Sequence, residues 1–532
     1  MRKLLCCALP LCAALAQHHG PSAEKPVTLL PGLGIYRHLI ATSSEEAQKF
    51  FDQGLRLLYG FNRYEALRSF RKAAELDPAA VMPRWGMAMA QGPHINMDVD
   101  GDLDMKSSCE AAREGLALRE GAPEHERAWI GAVSARCPEY DERKYRDAMR
   151  ELARRYPDDL DAAVFYAESI MIPHRWRWFQ RDGAPKEGMA EAIHKLEAVM
   201  RRLPEHPGAN HFYIHAVEMS PSPERAIPSA QRLMGVVPAA GHLVHMPAHI
   251  WLILGDYELA AATNERAAQV DREYMERTGV SSSAYAGYYI HNLQFVAVAR
   301  QMQGRWGDAI RAAETLAAAV GSHVEAMPMM VDAVVQAPLF AMLRFARWDD
   351  VLAAARPDDR LLASVAVHHY GRAVTLAARG RREEALKEKA AFEEARAKVP
   401  ADWMWLVNKA GDVLALASAV LDARLAANDA AAVPHWRRAV DLQDALIYDE
   451  PPPWYYPVRE SLGAALLRAG RAAEAEEVLR EGLRRTPRNG RILFALMESL
   501  KAQGKTHAAA LVRQEFEAAW SRADVKLRLE EL

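Results

Sequence analysis

The 532-residue chain is predicted to be all-α, a superhelical solenoid of antiparallel helix pairs. Three observations carry this. Half of the residues are apolar, Ala, Leu and Arg abound, and β-branched runs with a period of two are scarce, which favours helix over strand. Small and aromatic residues recur at fixed spacing ahead of a proline, as helix hairpins that pack closely and then stop require. A histidine pattern returns at an offset of 34 residues, His211 onto His245 and His215 onto His249, and that offset is the length of one helix–turn–helix unit. The expectation is helix over more than half of the chain and essentially no sheet; a central β-sheet would refute it.

Residues 1–16, MRKLLCCALPLCAALA, have a basic start, an apolar run and Ala14-Leu15-Ala16, the shape of a secretory signal peptide cleaved after Ala16. Cys12 follows Leu9-Pro10-Leu11, without the small residue usual before a lipidated cysteine, so a lipid anchor is disfavoured. No other segment is long and apolar enough to span a bilayer. The mature chain is therefore expected to be exported, periplasmic or extracellular, with no membrane insertion after cleavage. A formal charge of −3, with acids and bases mixed throughout, argues against a nucleic-acid partner. Export would leave Cys109 and Cys137 in an oxidising compartment. Cys109 would open a helix over 108–120 and Cys137 close the next over 125–136, side by side in a hairpin; a disulfide and two buried thiols are both open.

Residues 17–45, with Pro21, Pro26, Pro31, Gly32 and Gly34, read as an irregular leader. Its start, Gln17-His18-His19, would place a histidine third from a new amine, as in copper(II) and nickel(II) chelates. Gln17 can cyclise and block that amine, and a disordered tail is the expectation. Residues 46–200 form a divergent N-terminal part. It opens on FFDQGLRLLYGFNRYEALRSFRKAAELDP, where Gly54, Ala66, Phe70, Ala73 and Pro78 hold the packing positions of a helix hairpin. Residues 201–325 hold histidine-rich repeats, marked by Ala226, Ala230 and Pro238, then Gly255, Tyr257, Ala260 and Ala267, then Gly304, Trp306 and Ala309. Degenerate copies around Trp348 and 380–385 fill 326–445. Residues 446–532 carry a clear repeat with Gly463, Gly470 and Ala475, and a last helix pair over 491–520. These positions resemble tetratricopeptide repeats, over most of residues 46–520. The motifs GANHFYIHAVE, HLVHMPAHI, YYIHN and PPPWYYPVRESLGAALLRAG are also similar to those of a group of exported bacterial tetratricopeptide proteins. That resemblance implies the architecture and a pocket, and no particular reaction.

Three stretches interrupt the pattern. Counted from Asn96, Asp98, Asp100 and Gly101 take positions three, five and six of a calcium loop, but position twelve is Ser107 instead of a bidentate glutamate, so a solvated acidic loop is expected. The segments 172–185, IPHRWRWFQRDGAP, and 449–457, DEPPPWYYP, are rich in aromatics. Each reads as helix-junction core, and the proline-rich one alternatively as the floor or plug of a groove.

Six of the nineteen histidines lie between His206 and His249. His211, His215 and Glu218 stand at i, i+4 and i+7, and His242, His245 and His249 at i, i+3 and i+7, one helical stripe each. In the tetratricopeptide class, positions 2, 5, 9 and 12 of the first helix line the concave groove. The resemblance thus sends these residues, and His291 from the following repeat, into one surface. Pro247 is tolerated if its helix begins near Leu243 or Val244, which would leave His242 at the cap and the edge of the site. Neutral imidazoles gathered in one place serve as metal ligands. The expected metal set is His211, His215, His242, His245, His249 and His291, with zinc or copper favoured over ferrous iron in an exported protein. One ion shared by His215 and His249 requires their rings within about 8 Å.

The functional expectation is a binding protein whose concave pocket holds a transition metal or small ligand, with a peptide, protein or small molecule as partner. One alternative is a metal-dependent hydrolase or oxidoreductase, with Glu218 as catalytic general base and Glu168, Tyr456 or Glu460 behind the ligands. The other is a metal-free peptide- or protein-binding scaffold. HExxH, GxSxG and Gly-rich phosphate-loop motifs are missing from the sequence.

Overall fold

Helix pairs begin at residue 45, and their local chemistry is repetitive. Ser44 caps α1 (Glu45–Tyr59) by accepting from the Ala47 amide, and Asn62 caps α2 (Arg63–Leu76) by accepting from Glu65. The two close into a hairpin, and α3 (Met82–Gln91) packs on α2. Phe70 fills the space between them. A Cβ at Gly54 would lie 2.6 Å from its ring and one at Gly86 2.4 Å, so glycine there is what lets the helices approach. In this computed structural model the described residues are 25–96, 104–180, 182–280, 282–321, 323–325 and 327–532. The signal-peptide segment, Gln17-His18-His19 and the Asp98–Gly101 calcium-loop positions lie outside them.

The hairpins continue through α4 (Met105–Leu118), α5 (Glu124–Ser134), α6 (Glu142–Arg155), α7 (Leu160–Met171), α8 (Met189–Arg202), α9 (Pro207–Glu218) and α10 (Ile227–Val236). Each packs on its successor, and α1 on α3, α3 on α5 and α7 on α9, the stacking of a helical-repeat array. The repeat pattern is faint over 80–200 because aromatic pairs do its work there. Trp85 meets Trp129 edge-to-face at 4.9 Å and Phe165 at 5.4 Å. Helix α9 also returns to α1, where Gly208 admits Tyr59: a Cβ there would sit 2.2 Å from the phenol ring. Then come α11 (Gly241–His245), α12 (Pro247–Ile253), α13 (Tyr257–Thr278) and α14 (Ser282–Met302).

The described residues divide into two units, 25–250 with 263–289 and 251–262 with 290–532. The second contains α15 (Trp306–Gly321), α16 (Pro328–Val334), α17 (Ala337–Arg344), α18 (Trp348–Ala353), α19 (Leu362–Ala378), α20 (Arg382–Ala397), α21 (Ala410–Arg424) and α22 (Asp429–Ala445). It ends with α23 (Arg459–Arg468), α24 (Ala472–Arg485), α25 (Gly490–Ala502) and α26 (Thr506–Ala519). Strands are confined, among the described residues, to the two-residue pair β1 (Met404–Trp405) and β2 (Asn408–Lys409). Helix covers more than half of the chain, and the fold is an all-α helical-repeat solenoid. No helix among the described residues is long and apolar enough to cross a membrane.

Residues 251–262 join the second unit through polar ties. The Tyr257 hydroxyl donates to the Pro487 carbonyl at 3.0 Å, and Glu258 gathers Arg300, Arg305 and Arg522 at 2.7, 3.2 and 2.8 Å. The proline-rich segment forms core: Tyr455 stacks on Phe340 at 4.5 Å, and Trp454 and Tyr456 are buried. Glu460 is engaged in the same unit, accepting from Arg344 at 2.8 and 3.0 Å and from Asn489 at 2.8 Å. Ser461 donates to the Tyr456 hydroxyl at 3.3 Å.

In the first unit, Cys109 of α4 and Cys137 just after α5 are disulfide-bonded, with Cα atoms 5.6 Å apart. The bond closes a separation of 28 residues. Chain-entropy loss of that size stabilises by roughly 3–4 kcal/mol. Cys109→Ser/Cys137→Ser should lower the unfolding free energy of this unit by about that much in a urea titration; an unchanged midpoint would show that the bond contributes nothing.

Candidate metal centre

Helix α9, buried over its whole length, places His211 and His215 one turn apart and ends on Glu218. Helices α11 and α12 place His242, His245 and His249. The expected helix start near Leu243 needs correction. Helix α11 begins at Gly241, so His242 is helical; the helix breaks at Met246, and Pro247 takes the first position of α12. Proline suits that position because its missing N–H would be unpaired there anyway. The His stripe survives the break, and His242 stands inside the cluster instead of at its edge.

The five rings close on themselves. Centroid distances run 5.0 Å from His211 to His215, 5.4 Å on to His249, 4.6 Å to His245, 5.6 Å to His242 and 4.9 Å back to His211. One ligand atom each from His211, His215 and His242 lies within 4.8 Å of the others. All five are at most 2% exposed. The tetratricopeptide resemblance implied a concave groove or cavity; these side chains are buried. Phe61 lies 4.5 Å from His211 and Trp176 5.6 Å from His215. Both residues hold positive φ, 53° and 57°, backbone that a bulky side chain adopts only when its surroundings enforce it. Trp176 and Trp178 of the aromatic segment thus pack against His215.

Hydrogen bonds set the tautomers. His211 Nδ1 meets the carbonyl of Tyr59, the last residue of α1, at 2.6 Å. That carbonyl has no partner within its own helix, and it can only accept, so Nδ1 donates. Glu218 receives His215 Nδ1 on one oxygen at 3.0 Å and His249 Nδ1 on the other at 2.7 Å. Asn264 Oδ1 receives His245 Nδ1 at 2.7 Å. Each of the four rings thereby presents Nε2 as its ligand nitrogen. His245 Nε2 and His249 Nε2 face each other at 2.6 Å, and His211 Nε2 faces His242 Nε2 at 3.1 Å. Two lone pairs at such a distance repel unless a proton or a cation lies between them. His242 Nδ1 is buried with no hydrogen-bond partner among the described residues.

Burial, reinforced by the neighbouring imidazoles, pushes His211 and His242 well below the usual histidine range, so both rings are neutral and fit to bind a cation. Glu218 is 2% exposed with both oxygens on imidazole N–H groups, an arrangement that orients rings. His291 lies on the part of α14 that belongs to the second unit, its ring 5.0 Å from Phe295. Glu168, on α7, is buried, which raises its carboxyl to about 7 despite Arg136 and Arg63 nearby.

The leader is the part that sequence reasoning missed. Its described part, from residue 25 on, is fastened along α1: Gln48 donates to the His38 carbonyl at 2.9 Å and accepts from the Ile40 amide at 3.0 Å, and Asp52 accepts from Arg37 at 3.0 Å. Asp161, near the start of α7, is the anchor. It accepts from the Tyr36 hydroxyl at 2.8 Å, from His38 Nδ1 at 2.6 Å and from the Tyr59 hydroxyl, with His206 Nε2 at 3.3 Å. Burial alone would raise the Asp161 carboxyl; His206 and His38 outweigh it and hold the group well below the usual carboxylate range. His206 was within the counted cluster, but its offset from His211 is off the helical stripe, so only its frequency signalled it.

Antiparallel helix pairs that pack on their successors, with glycines where the helices touch, make this a helical-repeat protein. No family model matches the chain, and no curated protein matches it. Among solved structures it is similar to yeast Tom70, at 12% identity and TM-score 0.28 over 89% of this chain and 90% of that one. The Cut9–Hcn1 hetero-tetramer of APC/C is similar at 11% identity and TM-score 0.29, over 91% of this chain and 76% of that one. A human IFIT1 dimer with m7Gppp-AAAA is similar at 11% and 0.33, over 88% and 95%.

Proposed function

We propose that this is an exported tetratricopeptide-type binding protein that holds a transition metal among His211, His215, His242, His245 and His249. The observation that carries the reading is the set of Nδ1 bonds. The Tyr59 carbonyl, both Glu218 oxygens and Asn264 each take an imidazole N–H and turn the opposite nitrogen inward. Metal-binding histidines are oriented in this way by oxygen acceptors behind them. A nitrogen-only ligand set suits zinc or copper. The burial of every ring favours an ion enclosed by the fold over one open to a substrate, and Glu218 acts as an orienting carboxylate. The Cys109–Cys137 bond and the signal-like start support export to an oxidising compartment. Stacked helix pairs also suit a peptide- or protein-binding surface, which an enclosed ion would stiffen.

Metal analysis of the purified chain tests this. Zinc or copper at one equivalent per chain or more, restored after chelation and dialysis against the metal, is the expected result. Negligible metal both as purified and after reconstitution would leave the metal-free scaffold.

A further inference from the structure

Away from the five-histidine ring, the leader brings a sixth imidazole to a different place. His38 packs against the start of α5 and the turn before α7. Its ring lies 6.4 Å from that of His125 and 5.9 Å from Trp129. One ring nitrogen from each histidine and an Asp159 oxygen lie within 4.8 Å of one another. Side-chain rotation closes such a span around an ion with bonds near 2 Å.

We propose a second transition-metal site formed by His38, His125 and Asp159, which clamps the leader to α5 and α7 when it is filled. Four features of the geometry point to a ligand site. First, His38 Nδ1 lies 2.6 Å from Asp161 and 4.0 Å from Asp159 Oδ1, which fixes the ring beside both carboxylates and leaves Nε2 open to a further ligand. Second, that Nε2 is buried without a hydrogen-bond partner among the described residues, and the His38 side chain is only 10% exposed. Third, the Trp129 indole N–H donates to Asp159 Oδ2 at 2.8 Å and so orients the carboxylate. Fourth, the cluster borders a cavity of about 560 Å³, lined in part by Tyr36, Tyr156 and Leu203, through which an ion can enter and keep a water or anion as a further ligand. Two imidazoles and one carboxylate with an open position accept zinc, copper(II) or ferrous iron.

The ligands come from three separate stretches, so the ion would act as a cross-link. Arg37, immediately before His38, has a side chain 56% exposed and marks a tryptic site on the leader. This proposal does not rest on the five-histidine centre, and its test separates the two. Zinc chloride is titrated calorimetrically into the His245→Ala/His249→Ala chain, with and without His125→Ala. One zinc equivalent should remain in the first and weaken at least 100-fold in the second. Equal zinc affinity in the two, or none in the first, would overturn the proposal. Should the background variant fail to fold, trypsin cleavage after Arg37 is followed in the otherwise unchanged chain. Zinc should slow it about tenfold, and His125→Ala should abolish that protection. Protection that survives His125→Ala, or no protection at all, would overturn the proposal.

Discussion

Replacing His245 and His249 together by alanine should weaken metal binding by the five-histidine centre at least a thousandfold, about 4 kcal/mol. These two rings face each other through Nε2 at 2.6 Å, and their loss removes two of the five imidazoles. Glu218→Gln removes no ligand nitrogen. It replaces the carboxylate that orients His215 and His249, and it should cost 10- to 100-fold. Competition against a chromophoric chelator reads both, with far-ultraviolet circular dichroism to establish that the helices persist. Thermal shift is the poorer readout. A hundredfold excess over Kd stabilises by about 2.7 kcal/mol. Spread over the unfolding entropy of a chain this long, that is a shift of only about 3 °C. Affinity unchanged in the double variant would remove these residues from the metal's coordination.

Asp161→Asn should destabilise the first unit by about 3–5 kcal/mol and release the leader. The carboxylate is 3% exposed and is approached by Tyr36, Tyr59, His38 and His206 at once. An amide turns one acceptor into a donor that faces these donors, and breaking a buried charge-assisted network on one side carries this order of cost. Tyr36→Phe removes a single bond and should cost about 1 kcal/mol. Urea titration followed by intrinsic fluorescence measures both, and trypsin should reach Arg37 sooner in Asp161→Asn. Equal midpoints for the three chains would show that the network does not hold the leader.

The all-α class was legible because it rests on local periodicity. Ala- and Leu-rich composition and the spacing of Gly54, Ala66, Phe70, Ala73 and Pro78 are all short-range signals. The histidines of α9, α11 and α12 were legible as a group for the same reason: spacings of three, four and seven lie on one helical stripe. Pro247 was harder, because sequence alone could not say whether it sat within the first turn of one helix or opened a second.

The sequence by itself determined the class of fold, the site's residue types and their face of the helix, since these depend on residues within one or two turns of each other. Tertiary structure decided what the histidines can do. His211 is oriented by a main-chain carbonyl 152 positions away, which every residue possesses and no motif marks. His245 depends on Asn264 and His249 on Glu218, 19 and 31 positions distant on other helices. The depth at which the five rings are buried was set by packing, and only packing of the leader against α1, α5 and α7 put His38 beside His125 and Asp159. Ligand geometry is set by contacts between separate helices, whereas helix periodicity is set within each one.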